Sequence, residues 1–135
     1  ASFALGTAIE KSGLAEGLAH GVVSVFGSGG TAAVLLGVVL ATVLLTELVT
    51  NNAAAALMFP IAFATAHQLG VDPRGFAIAI AVSASNSFLT PIGYQTNTMV
   101  YGPGGYRFGD YLRLGFPLTT VMVTLTVVMV MFRWY

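Results

Sequence analysis

The stretch Thr46-Glu47-Leu48-Val49-Thr50-Asn51-Asn52-Ala53-Ala54-Ala55-Ala56-Leu57 decides how this chain is read. A polar tip, residues 47–52, interrupts an apolar run that starts at Thr31 and resumes at once with four alanines, Leu57, Met58 and Phe59. An aqueous loop between two helices has no need of an alanine run beside it and commonly carries Lys, Asp or Pro. This tip carries amides and hydroxyls instead. Inside a bilayer, non-helical backbone is tolerated only where protein buries it or water lines it, and uncharged donors and acceptors suit such a place. Residues 31–69 are therefore expected to form a re-entrant helical hairpin with its tip at 47–52.

Composition agrees with a membrane setting. The chain has 135 residues, of which 56% are apolar and 7% charged, whereas soluble domains carry about a quarter charged residues. A spanning helix takes about 20 residues, leaving room for roughly four to six membrane helices and little else. The formal charge is zero, so no basic field exists to attract nucleic acid. Without cysteine there is no disulfide framework, thiolate catalysis or Cys-ligated metal. P-loop, zincin and nucleophile-elbow motifs are missing, and His20 and His67 are far apart in sequence with no acidic residue three or four positions after either. The chain reads as a non-enzyme that uses no cofactor.

Outward from the hairpin, ten charges punctuate the sequence. Between Glu47 and Asp72 lie 24 uncharged residues, between Arg74 and Arg107 lie 32, and between Arg113 and Arg133 lie 19. Such segments are long enough to enter or cross about 30 Å of hydrocarbon. Residues 1–9 read as the end of a transmembrane helix already under way, and so as a continuation of something upstream. Residues 10–27 read as an interfacial amphipathic helix, with Leu14, Leu18, Val22 and Phe26 on one face and Glu16, His20 and Ser24 on the other. Gly13, Gly17 and Gly21 form a small-residue series suited to close helix packing. Gly27 to Gly30 reads as a flexible turn. After the hairpin, Gly70 to Gly75 is a surface turn in which Asp72 precedes Pro73 as a cap for the next helix.

Residues 76–106 read as a broken helix. Ser83, Asn86, Ser87 and Thr90 fall on one helical face, and Pro91 and Gly93 should stop the helix, placing the break at 90–97. Arg107 to Arg113 reads as an interfacial segment, cytoplasmic by its arginines. Residues 114–133 form a transmembrane helix anchored by Arg133, Trp134 and Tyr135.

Two interruptions, each followed by a new helical start, carry the functional reading. Asn51 or Asn52 can cap the arm beginning at Ala53, and Asn97 a half-helix beginning near Thr98. Each start presents free backbone N–H groups, and two aimed at one cavity favour an anion without Lys or Arg. Discontinuous helices facing a midplane substrate are typical of secondary transporters. A dianion there would still lack positive charge, which a bound hard cation such as Na⁺, held by freed carbonyls and Thr and Asn oxygens, can supply. Glu47 is read as structural, bonded to nearby backbone donors, in preference to a proton carrier.

The 46–57 stretch resembles the hairpin signature T-E-x-x-S-N-T-A-x-A-A-L of the divalent anion:sodium symporter family, within the superfamily that also holds citrate and arsenite carriers. Ser83 to Gly115, containing Thr90-Pro91-Ile92-Gly93-Tyr94-Gln95-Thr96-Asn97 and Val100-Tyr101-Gly102-Pro103-Gly104-Gly105-Tyr106, is similar to the following broken helix, especially of bacterial members thought to move sulfate. Phe3 to Ala19 is similar to the segment before the hairpin. The resemblance implies an all-α integral membrane protein of the bacterial plasma membrane. Its implied mechanism is homodimeric, sodium-coupled elevator transport by two inverted repeats, of which this chain is the second and an N-terminal repeat the partner. It further implies that Thr46, Asn51 and the carbonyls of Val49 and Gly93 ligate one Na⁺. Thr50, Asn51 and Asn52 would meet the small inorganic or organic anion, with Tyr94, Gln95, Thr96 and Asn97 on the other wall. Two departures bear on substrate: the family's S-N-T is Thr50-Asn51-Asn52, and the T-P-P of dicarboxylate carriers aligns with Tyr94-Gln95-Thr96. Polar groups in place of prolines favour a compact oxyanion such as sulfate over dicarboxylate. Competing readings are an antiporter or arsenite-type efflux carrier, a non-transporting membrane scaffold, and a channel.

Overall fold

From Thr31 to Leu45 the chain carries no ionisable residue, and a helix that is apolar on every side is stable only when other helices or lipid surround it. In the computed structural model, which describes Ala4, Ala8 and residues 11–135, that segment lies at the centre. The order is α1 (Leu14–Phe26), a 3₁₀ turn (Gly27–Gly29), α2 (Gly30–Thr46), α3 (Asn51–Leu69), α4 (Pro73–Ser83), α5 (Gln95–Tyr101) and α6 (Phe108–Trp134). Helix α2 packs against α1, α3, α4 and α6. Its Val34, Leu35, Val38, Val39 and Val43 meet Met58, Ile61 and Ala62 of α3, Phe76, Ala79 and Ile80 of α4, and Val123 and Val130 of α6.

Buried hydroxyls on these helices are satisfied locally. Thr42 donates to the Val38 carbonyl at 2.8 Å and Thr65 to that of Ile61 at 2.7 Å, the back-bonding that lets threonine sit in an apolar helix face. Both α3 and α6 contain a proline, Pro60 and Pro117. Two stretches among the described residues are long and apolar enough to cross a membrane, 14–46 and Phe108–Trp134.

Helices α2 and α3 are joined by a tip shorter than 47–52: the non-helical residues are 47–50. Thr50, and neither Asn51 nor Asn52, is the N-cap of α3, its hydroxyl accepting from the Ala53 N–H at 3.3 Å. The shorter threonine side chain takes the local bond, leaving Asn51 for a more distant partner. Asp72 caps α4 as read, accepting from the Arg74 N–H at 2.9 Å with Pro73 at the first position.

Two boundaries and one packing face differ from the sequence reading. Gly27 to Gly30 is no loose turn, because a 3₁₀ turn carries α1 into α2 and 14–46 runs as 33 helical residues. On α1 Ala15 and Ala19 are buried, and Val22 and Phe26 of the expected apolar face pack partly buried against the core, whereas Leu14 and Leu18 stay exposed. Alanines let the backbone of α1 approach α3 closely, and a Cβ on Gly17 or Gly21 would meet nothing within 4 Å. Residues 107–113 are no separate segment: Asp110 accepts the Arg107 N–H at 2.8 Å, and α6 starts at Phe108. The segment 1–9 falls, apart from Ala4 and Ala8, outside the described residues.

The end of α6 is tied to the α3–α4 turn by Tyr135, which donates to the Asp72 carbonyl and lies edge-on to Phe76. Burial there, and next the charge of Asp72, pushes the Tyr135 phenol above its ordinary pKa.

Candidate functional site at the hairpin tip and helix break

The break itself is displaced from the expected 90–97. Helix α4 stops at Ser83 and α5 starts at Gln95, so residues 84–94 are the non-helical segment. Its start is a tight turn, with Ser85 N–H on the Val82 carbonyl at 3.2 Å and Asn86 N–H on that of Ser83 at 3.0 Å. The reason for the earlier stop is competition for backbone groups. Proline at 91 forces only a local stop, but bonds from three side chains elsewhere capture the carbonyls and N–H groups of 84–90 first.

The hairpin tip supplies two of those side chains, adjacent in sequence. Thr46 Oγ1 lies 2.6 Å from the Ala84 carbonyl oxygen, 2.9 Å from Asn51 Oδ1 and 3.2 Å from Ser87 Oγ, and Ser87 Oγ lies 3.0 Å from Asn51 Oδ1. Glu47 accepts from the Leu89 N–H at 2.9 Å through Oε1 and from the Thr90 hydroxyl at 2.6 Å through Oε2. Thr90 Oγ1 in turn accepts the Gly93 N–H at 3.0 Å. The third side chain is Asn97, whose amide donates to the carbonyls of Ser87 at 2.9 Å and Thr90 at 3.2 Å. Asn97 thus sits inside α5 and does not cap it; Tyr94 is the N-cap, without a side-chain bond. Helix α5 is braced further by Thr98 on the Pro91 carbonyl at 2.8 Å and by Tyr111 on the Asn97 carbonyl at 3.0 Å.

Two glycines permit the close approach. A Cβ on Gly93 would collide with Glu47 Oε2, and one on Gly115 of α6 with the Phe88 carbonyl oxygen. At Gly115 the backbone of the break leaves no room for a carbon, and at Gly93 a carbon would fit only if the Glu47 carboxylate gave up its place.

Thr46, Ala84, Ser87 and Asn51 therefore gather four oxygens, all from neutral groups. Their four close contacts are shared by only two hydroxyl protons, those of Thr46 and Ser87. An arrangement with more lone pairs than protons favours a hard cation. Among the described residues no group of three His, Cys, Asp or Glu side chains comes together; the donors gathered here are hydroxyl and carbonyl oxygens, the ligand type that suits hard cations. Thr46, Ser87 and Glu47 are buried and Asn51 partly so.

Of the residues expected to act, the structure brings Thr46 and Asn51 together and places Gly93 beside Glu47 and Thr90. Thr50, Asn52, Tyr94, Gln95 and Thr96 are exposed, flanking the starts of α3 and α5. Ser87 and the Ala84 carbonyl were not expected in the oxygen cluster. The assumed polar face of a continuous helix concealed them, for it grouped Ser87 with Ser83 and Asn86. In the structure Ser83 Oγ and Asn86 Oδ1 are buried without a hydrogen-bond partner among the described residues. A separate cavity of about 300 Å³, lined by Phe88, Asn97, Tyr106, Tyr111 and Leu118 among others, shares Phe88 with the break and Asn97 with α5 but no residue with the tip.

Comparison with known proteins agrees with a transporter. The chain is 51% identical over 127 residues to an uncharacterized transporter of Synechocystis, covering 94% of this chain and 21% of that protein. It is 42% identical over 118 residues to sodium/sulfate cotransporter 1 of Chlamydomonas reinhardtii, covering 87% of this chain and 13% of that protein. Sodium/sulfate cotransporter 2 of the same alga is 38% identical over 120 residues, with the same 87% and 13% coverage. The chain thus spans about a fifth or less of the length of these relatives. The family model described as citrate transporter matches residues 1–135. This chain, with its hairpin tip bonded into a helix break, belongs to the citrate transporter family.

Proposed function

We propose that this chain forms one of two inverted repeats of a homodimeric secondary transporter, which couples Na⁺ to uptake of a divalent oxyanion by an elevator-type movement. The observation that carries the proposal is the cluster of Thr46, Asn51, Ser87 and the Ala84 carbonyl, drawn from two interruptions 38 residues apart in sequence. Sodium is read as transported cargo bound at this cluster, with the carbonyls of Val49 and Gly93 completing its shell. A hard cation held about 2.4 Å from each oxygen spreads neighbouring oxygens to roughly 3.4 Å, so the cluster needs to open by only some tenths of an ångström to accept it.

The anion is met by Thr50, Asn51 and Asn52 on one side and by Tyr94, Gln95 and Thr96 on the other; Asn97, expected on that wall, is left out, since the Ser87 and Thr90 carbonyls take both of its amide N–H groups. These contacts include no Lys or Arg, so a dianion binds well only when Na⁺ is bound beside it. Coupling follows from that dependence, because the empty and the fully loaded states then cross more easily than half-loaded ones. Polar Gln95 and Thr96 favour sulfate over a longer dicarboxylate, and two relatives are named for sodium/sulfate cotransport. In this reading the hairpin is re-entrant, its tip lying within the bilayer of the plasma membrane.

The test is uptake of radiolabelled sulfate by the complete transporter in proteoliposomes. Uptake should require external Na⁺, resist competition by succinate and vanish in Asn51→Ala. Equal uptake with choline in place of Na⁺ would point to an antiporter or efflux carrier, and stronger competition by succinate than by unlabelled sulfate would overturn the substrate.

A further inference from the structure

Thr46 and Glu47 are consecutive, and they grip the break at consecutive places. Thr46 takes the Ala84 carbonyl and lies against Ser87, while Glu47 takes the N–H of Leu89 and the hydroxyl of Thr90. Ser87, which supplies an oxygen to the cluster, is two residues before Leu89. Its place therefore depends on how the segment 87–90 is held. Asn97 holds the carbonyls of that segment; Glu47 holds its donors. Through Thr90 the grip extends to the Gly93 N–H. No basic side chain pairs with Glu47 among the described residues, and each of its carboxylate oxygens accepts a hydrogen bond from the break.

We infer that Glu47 is a positioning residue for sodium: it fixes the segment from Ser87 to Gly93 so that the break's oxygens stand in register with Thr46 and Asn51, without itself ligating the ion or carrying a proton. This rests on the sodium-coupled reading above. The carboxylate acts through its geometry as a double acceptor, and its charge is dispensable. Glutamine can keep that geometry. Its Oε1 accepts the Leu89 N–H, and its Nε2 donates to Thr90 Oγ1, which still accepts the Gly93 N–H and turns its own proton elsewhere. Aspartate, one methylene shorter, cannot reach both partners.

The experiment uses the complete transporter, purified for thermal melting in NaCl against KCl and reconstituted for Na⁺-driven sulfate uptake. Glu47→Ala should raise the half-saturating Na⁺ concentration about tenfold or more, while half-saturation by sulfate at saturating Na⁺ moves less than about threefold. Glu47→Gln should stay within about threefold of the unaltered protein in both. Thr90→Val should reproduce the Glu47→Ala defect, and the double variant should be no worse than either single one. Gly93→Ala, whose methyl would collide with Glu47 Oε2, should impair the sodium response in the unaltered protein and add little to Glu47→Ala. If Glu47→Ala does not accumulate, Thr90→Val and Glu47→Gln carry the same test. A Glu47→Gln protein as impaired as Glu47→Ala would overturn the inference, because the charge itself would then act. So would Glu47→Ala or Thr90→Val with an unchanged sodium response. An unaltered protein indifferent to Na⁺ in both assays overturns the sodium-coupled reading and this inference with it, an outcome distinct from the others.

Discussion

The chain interrupts its helices in two contrasting ways. Between α1 and α2, Gly27–Gly29 makes a 3₁₀ turn whose hydrogen bonds stay within the backbone: Gly27 N–H reaches the Val23 carbonyl and Gly30 N–H that of Gly27. Ser28 in that turn is exposed and the helix carries on. Between α4 and α5, residues 84–94 give up helical bonding, and side chains from the hairpin tip and from α5 take over their backbone groups. Glycine alone loosens a helix without ending it, since the cost is about 1 kcal/mol and backbone partners remain near. A true break within an apolar segment needs replacement partners from elsewhere in the fold, and those partners make it a site.

If that contrast is correct, the largest effect belongs to the cluster. Asn51→Ala should abolish sodium-driven sulfate uptake by the complete transporter, whereas Ser28→Ala in the other interruption should leave it unchanged. Next comes packing against the break. Gly115→Ala sets a methyl against the Phe88 carbonyl, and overpacking of this kind costs about 1–3 kcal/mol or more; the melting temperature in detergent should fall clearly. Asn97→Ala removes two bonds to the Ser87 and Thr90 carbonyls, each worth roughly 0.5–1.5 kcal/mol. It should lower the melting temperature less than Gly115→Ala and weaken the sodium response. The smallest effect is expected at Gly27→Ala. That residue has helical angles, φ −63° and ψ −25°, and its new methyl would meet Val23 Cγ1 at an ordinary 3.4 Å, so a gain of about 0.4–1 kcal/mol is expected. A large loss there would erase the contrast between the interruptions.

What could be read in the sequence was local. Asp72 before Pro73 announced its cap because the bond spans two residues, and the tip was legible because its polar residues stand between two apolar arms. The register of the break was not, because Pro91 and Gly93 mark where a helix must stop by itself, while Thr46 and Glu47, about 40 residues upstream, stop it sooner. The same distance hid Ser87. Periodicity assigned it to a face shared with Ser83 and Asn86, and a face exists only while the helix continues. On α1, the hydrophobic stripe of Leu14 and Leu18 drew attention from Ala15 and Ala19, which pack because they are small. The glutamate was legible in its role as an acceptor of backbone donors, but its partners could be named only from the fold.

The central claim is that tip and break together bind sodium. Its most direct test is thermal melting of the complete transporter, with Ser87→Ala set beside the unaltered protein in NaCl and in KCl. Ser87 is the cluster's side chain from the break alone. The unaltered protein should be stabilised by Na⁺ over K⁺, and Ser87→Ala should lose most of that difference while melting normally in KCl. Full retention of the Na⁺ increment in Ser87→Ala would contradict the account.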